Sequence, residues 1–80
     1  MLIPFWFRLD KNFGYGVTAA SQDDAETLLR TFGYPRDGEV VMEVVHNVKF
    51  SDLNQDHVVP NAGPMVFRGV WYPRHNLEGQ

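Results

Sequence analysis

The pattern of apolar and polar positions predicts one complete helix, over Ser21–Gly33. Ser21 is a typical N-cap residue, and Asp24 follows three positions later, as in a capping box. The segment then places four apolar residues on one helical face, namely Ala25, Leu28, Leu29 and Phe32. Gly33 can adopt the left-handed conformation that ends a helix, and Pro35 lies just beyond it.

The rest of the chain alternates between apolar and polar positions, as β-strands do. Four stretches show this pattern: Leu2–Leu9, Phe13–Ala19, Glu39–Phe50 and Met65–Tyr72. The order strand, strand, helix, strand, strand predicts a single α+β domain over residues 1–73, with one helix on one face of a four-stranded, mostly antiparallel sheet. A mixed sheet with a right-handed crossover through the helix fits the same order. Residues 74–80 are expected to form a frayed polar tail.

Two strands carry features that constrain their place in the sheet. Pro4 cannot donate a backbone hydrogen bond, so either the first strand lies at a sheet edge or Pro4 lies near the start of the strand. The stretch Glu39–Phe50 is long for a strand, which predicts a β-bulge near His46 and Asn47. His46 itself is interpreted as a hydrogen-bonded core residue rather than a proton-transfer group.

The predicted helix is too small to cover both faces of the predicted sheet. It is only about 16 Å long, whereas four strands spaced ~4.8 Å apart make a sheet roughly 19 Å wide. The face away from the helix is nevertheless expected to be largely apolar, with Leu2, Trp6, Val41, Val45, Val66, Val70 and Tyr72. Since monomers rarely expose large apolar patches, either the loop Ser51–Pro64 folds across this face or another protein molecule covers it.

The second of these possibilities predicts a protein interface. Its candidate residues are Trp6, Val45, Arg68, Val70 and Tyr72. Arginine together with tryptophan and tyrosine is the typical composition of an interface hot spot. The simpler interpretation of Arg68 is that its stem covers apolar neighbours while the guanidinium stays in water. A second copy of the chain is the commonest partner for such a surface.

The long loop suggests a different kind of site. Asp56, His57 and Asn61 could line a ligand pocket between residues 51–64 and the end of the sheet, because loops often carry function. The simpler interpretation is that such residues cap turns. A metal site is not predicted, since it needs at least three converging ligands and Asp56 and His57 are sequence neighbours.

Composition narrows the class of protein. The 80 residues include no cysteine, which excludes a disulfide framework or a zinc–thiolate site. Seven basic and ten acidic residues give a net charge of −3, and the basic ones are scattered, which argues against nucleic acid as a partner. The apolar start is interrupted by Arg8 and Asp10, which fits neither a signal peptide nor a membrane span. A cytoplasmic protein is therefore expected.

Catalysis is poorly supported by the sequence. The chain has no cysteine that could act as a nucleophile, and it has only two serines, Ser21 and Ser51. Both serines are better explained as capping residues. We therefore expect a non-catalytic protein without a cofactor that acts through protein–protein contact, as a homodimer or with another protein, of an accessory, regulatory or inhibitor type. The alternative is a small-molecule-binding domain or minor enzyme that uses the loop pocket.

Overall fold

The computed structural model describes residues 1–11 and 13–73, which form one sheet and one helix. The strands are β1 (Ile3–Leu9), β2 (Tyr15–Ala19), β3 (Val41–His46) and β4 (Gly69–Tyr72), and the helix is α1 (Gln22–Thr31). The strand order is β3-β1-β2-β4, and each neighbouring pair is antiparallel. The predicted α+β fold is confirmed, and the alternative of a mixed sheet is wrong. The predicted tail, 74–80, lies outside the described residues.

Helix α1 begins where the capping signals predict. The Ser21 hydroxyl accepts a hydrogen bond from the Asp24 amide at 3.2 Å. The Asp24 carboxylate in turn accepts one from the Ala20 amide at 3.1 Å, one residue before the N-cap. At the other end, Gly33 has a φ of 78° and its amide donates to the Arg30 carbonyl. Both ends of the helix are therefore fixed by local side-chain and backbone chemistry.

Strand β1 is central, although it contains a proline. It pairs with β2 on one side and with β3 on the other. Pro4 is the second residue of the strand, and its carbonyl accepts a hydrogen bond from the Val48 amide at 3.1 Å. The prediction that Pro4 lies near the strand start is confirmed, and the edge-strand alternative is wrong.

A first core lies between the sheet and α1. The buried residues of this cluster are Phe5, Phe7, Leu9, Tyr15, Val17, Ala19, Ala25, Leu29 and Tyr34. Alternate residues of β1 supply its centre, as the two-residue period of a strand requires. The helix makes its strand contacts chiefly with β2 and β4, and it is therefore displaced from β3.

A second core covers the opposite face of the sheet. Its buried residues are Trp6, Val48, Leu53, Val58 and Trp71. The segment between β3 and β4 supplies the covering layer, and hydrogen bonds to the sheet strands help to hold it in place. The Thr18 hydroxyl, on β2, donates to the Met65 carbonyl at 2.5 Å, and the Gly63 amide donates to the Trp71 carbonyl at 2.7 Å. Of the two possibilities for this face, the loop that folds across it is the one present.

Two β-bulges change which side chains share a face. Arg8 pairs with Glu43 but Leu9 pairs with Val41, so Met42 is an extra residue in β3. Trp71 is likewise an extra residue in β4. The bulge predicted near His46 and Asn47 is wrong, because β3 ends at His46, just before Asn47, whose φ is 57°.

The bulges move two valines to the helix side. Val41 and Val70 both pack against the first core, not on the face away from the helix. A single extra residue shifts the alternation by one, so residues before and after a bulge no longer share the faces that strict alternation predicts. The predicted face assignment of Val41 and Val70 is therefore wrong.

Candidate functional site

Three of the five candidate interface residues belong to the second core. Trp6 is only 8% exposed, and its ring stacks on Trp71 with 5.9 Å between centroids. Tyr72 lies tilted against Trp6 at 5.6 Å, and Val45 packs against the same cluster. Residues of the covering loop pack on this group, so Trp6 is buried within the chain and the face away from the helix is covered by the loop.

The other two candidate residues, Arg68 and Val70, lie on the helix side of the sheet. The Arg68 guanidinium contacts the Asp24 carboxylate through Nε at 2.9 Å and Nη2 at 2.5 Å. This hydrogen bond, together with the one from the Ala20 amide, lowers the pKa of Asp24 to about 2. Arg68 is therefore neither beside Trp6 and Tyr72 nor simply extended into water: it ties the chain before β4 to the start of α1.

The alternative ligand residues form a capped turn. The Asn54 side chain accepts hydrogen bonds from the amides of Asp56 and His57 at 3.0 and 2.7 Å. The Asn61 side chain donates to the His57 carbonyl at 2.7 Å. Asp56, His57 and Asn61 are all exposed, and none of them lines the three cavities described below. The turn-capping interpretation is the one that the structure shows.

In the part of the chain that the structure describes, the acidic and histidine side chains do not converge on a metal site. Within residues 1–11 and 13–73, histidine, aspartate and glutamate nowhere form a group of three that could hold a metal ion. His46 uses its Nε2 for a contact of 3.0 Å with the Gln22 carboxamide oxygen, and its ring packs edge-on against Phe5 at 5.1 Å. These contacts link the end of β3 to the start of α1.

The region left uncovered by the displaced helix is a cleft beside β3. The cleft has a volume of about 250 Å³. Its lining residues are Phe7, Glu26, Leu29, Arg30, Tyr34, Pro35, Val41 and Val44. The walls are apolar, and the two charged members, Glu26 and Arg30, have opposite signs. We call this the β3 cleft.

The outer edge of β3 lies next to the β3 cleft. Among the described residues, the backbone groups of Val41–His46 make no hydrogen bond to a segment on that outer side. Two apolar residues are solvent-exposed here: Val40, just before β3, and Met42, within it, the latter to 55%. The other edge strand, β4, differs, because its Trp71 carbonyl is already bonded to Gly63. The β3 edge is thus the less protected of the two.

A polar cluster fixes the chain just before β3. The Tyr15 hydroxyl donates to the Glu39 carboxylate, which also accepts the Arg36 amide at 2.9 Å. Burial, with the hydrogen bond and negative charge of Glu39, raises the pKa of Tyr15 to about 12. The cluster borders a cavity of about 230 Å³. The hydrogen bonds of this polar cluster hold the turn that leads into β3.

The β3 cleft could not have been found from hydrophobic alternation. Alternation places side chains on the two faces of a strand, but it does not say over which strands a helix lies. The one available signal was the mismatch in size between a short helix and a broad sheet. That mismatch pointed to the face away from the helix, which the loop covers, and it gave no indication of the cleft at β3.

Comparison with known proteins adds no assignment. Neither the protein-family models, nor the curated proteins, nor the solved structures searched include a match to this chain. In the described residues, no helix is long and apolar enough to span a membrane.

Proposed function

We propose that this protein is non-catalytic and acts by protein–protein contact, with a second copy of itself bound through the β3 edge. The observation that carries this proposal is the unpaired outer edge of β3 beside the apolar β3 cleft. An edge strand presents a row of N–H and C=O groups that another strand can pair with. Strand addition combines such backbone bonds with pockets for alternate side chains.

A second copy fits this surface for geometric reasons. Two identical edge strands can pair antiparallel about a two-fold axis, so that each protomer uses the same patch. The partner's helix-side residues of β3 then lie over the β3 cleft, where Val41 and Val44 are half-buried. Such pairing removes apolar surface from water on both protomers at once.

The charges near the edge are compatible with self-association. Glu26 and Arg30 give the β3 cleft no net charge. On the opposite face, Glu43 is paired with Arg8 at 3.3 Å, so a strand-to-strand contact does not bring together two unbalanced carboxylates. Like charges directly opposite would otherwise destabilise the pair. In an accessory, regulatory or inhibitor role, the protein would use the same β3 edge to bind a different protein.

The oligomeric state of the purified chain tests the proposal. Sedimentation at micromolar concentrations is expected to show a dimer, and the melting temperature is expected to rise with protein concentration. Met42→Lys places a charge on the edge, which blocks strand pairing, and should give a monomer. The matched control is Val66→Lys, because Val66 is also apolar and 74% exposed but lies outside β3.

The measured oligomeric states of the wild type and of Met42→Lys distinguish between the possible results. A wild-type monomer throughout the concentration range means that self-association is wrong. A dimer that Met42→Lys leaves intact means that the interface lies elsewhere. Circular dichroism of Met42→Lys verifies that the variant is folded, which is expected because residue 42 is exposed.

A further inference from the structure

A groove lies on the β4 side of α1, away from the β3 cleft. Its volume is about 570 Å³, within the range of small-molecule sites in proteins. It lies between the C-terminal half of the helix and the chain around β4. Its lining includes Thr31, Phe32, Phe67 and Arg68. We call it the β4 groove.

Two phenylalanines stand exposed in the wall of the β4 groove. Phe67 is 68% exposed, and Phe32, from the end of α1, is also exposed. Neither belongs to the buried cores. Exposed apolar surface of this kind, next to a concave site, is typical of a ligand-binding groove.

Among the residues that the structure describes, Arg68 is the one charged residue in the lining of the β4 groove. Asp24 holds its guanidinium through Nε and Nη2, which fixes the plane of the group. A guanidinium has further N–H donors on Nη1, and the contact with Asp24 does not use them. Asp24 balances the charge of Arg68 but leaves the Nη1 donors, so the groove combines apolar walls with an oriented, charge-assisted hydrogen-bond donor, which suits an anionic group on an apolar body.

We propose that the β4 groove binds a small carboxylic acid with a hydrocarbon tail. The carboxylate lies on the Nη1 side of Arg68, and the tail lies along Phe32 and Phe67. This site is separate from the β3 edge, so it stands or falls independently of the proposed dimer.

Octanoate is a suitable probe, and 1-octanol is its uncharged counterpart. Titration calorimetry is expected to show one octanoate bound per chain, at least about tenfold more tightly than octanol, a difference equivalent to ~1.4 kcal/mol. Arg68→Gln should abolish that preference, because the charge-assisted hydrogen bonds are lost. Met42→Lys should bind octanoate as the wild type does, whatever its oligomeric state.

Two exposed threonines of α1 provide a matched test of the location. Thr27 and Thr31 each donate a hydroxyl hydrogen bond to the carbonyl four residues earlier, at 3.0 and 3.1 Å. Only Thr31 lines the β4 groove. Thr31→Trp should therefore fill the groove and weaken octanoate binding by about tenfold or more, while Thr27→Trp should leave it unchanged.

The proposal is overturned by any of three results. These are no binding of octanoate by the folded wild type, equal binding by Thr27→Trp and Thr31→Trp, or a preference for octanoate over octanol that persists in folded Arg68→Gln. Since both threonines are exposed, their substitutions do not depend on repacking a core, and the comparison remains decisive if Arg68→Gln fails to fold.

Discussion

Arg68 and Asp24 are joined by a two-point contact between residues 44 positions apart, with Nε–Oδ2 at 2.9 Å and Nη2–Oδ1 at 2.5 Å. The same carboxylate accepts the Ala20 amide at the start of α1. One side chain thus completes the N-terminus of the helix and anchors the chain that leads into β4. Because a contact between distant residues forms only when the sheet and helix are assembled, it belongs to the tertiary structure rather than to the helix alone.

Acid is expected to weaken the fold through Asp24. Its pKa is about 2 in the folded protein against an ordinary value of 3.8, so the unfolded chain binds the proton more tightly. The stabilising contribution of Asp24 is therefore complete above the unfolded pKa and is lost as the pH falls from about 4 toward 2. Denaturant unfolding measured across this range should show a declining free energy of unfolding.

Asp24→Asn isolates this contribution from those of the other carboxyl groups. The variant lacks the titrating group, so its free energy of unfolding should be lower than that of the wild type at neutral pH, and the two should converge in acid. A constant difference between wild type and variant from neutral pH to pH ~2 would show that Asp24 has an ordinary pKa in the folded protein.

Leu29, rather than Leu28, is expected to be the main aliphatic contact of α1 with the core. Leu29 is 3% exposed within the first core, whereas Leu28 is partly exposed and lines the β4 groove. Leu29→Ala should cost about 2–5 kcal/mol, and Leu28→Ala should cost clearly less. Chemical denaturation of the two variants gives the comparison directly, and a larger loss for Leu28→Ala would contradict the burial described above.

The helix and the first strands follow from local sequence rules. Ser21 and Asp24 cap α1 through short-range hydrogen bonds, and Gly33 ends it because glycine accepts a positive φ. The alternation in β1 correctly places Phe5 and Phe7 opposite Trp6. These features depend on residues close in sequence, which is why the pattern alone is sufficient.

The later strands and the candidate sites depend on long-range packing. The extra residues Met42 and Trp71 are visible only as bulges against a partner strand, and no local signal distinguishes them from ordinary alternation. The contact between Arg68 and Asp24 also has no local signal, because the two residues are distant in sequence and meet only in the folded chain. The sequence could indicate that part of the sheet needed cover, but the loop that covers Trp6 is placed by tertiary contacts such as Thr18 with Met65.

Alkaline pH is expected to lower the free energy of unfolding through the Tyr15–Glu39 cluster that precedes β3. The pKa of Tyr15 is raised from 10.0 to about 12 by burial and by Glu39. The stabilising contribution of this group is present below the unfolded pKa of 10.0 and is lost as the pH rises from there toward 12.

Ultraviolet titration can isolate this phenol. The tyrosinate absorbance of Tyr15→Phe, subtracted from that of the wild type, should show a midpoint well above 10.0 for as long as circular dichroism reports folded protein. Glu39→Gln should lower this midpoint, because it removes the negative charge beside the phenol. A midpoint at the ordinary value in folded wild type would contradict the assignment.

Gly16 is expected to be required by the close approach of Trp71. A Cβ at this position would overlap the six-membered part of the Trp71 indole, which is itself 2% exposed and packed on Trp6. Because this packing holds the buried ring against Trp6, Gly16→Ala should lower the free energy of unfolding by about 1–3 kcal/mol. Trp71→Leu removes the ring, so Gly16→Ala should cost clearly less in that background. Denaturation of the two single variants and the double variant gives the coupling between the positions, and purely additive losses would show that the Trp71 ring is not what excludes a side chain at residue 16.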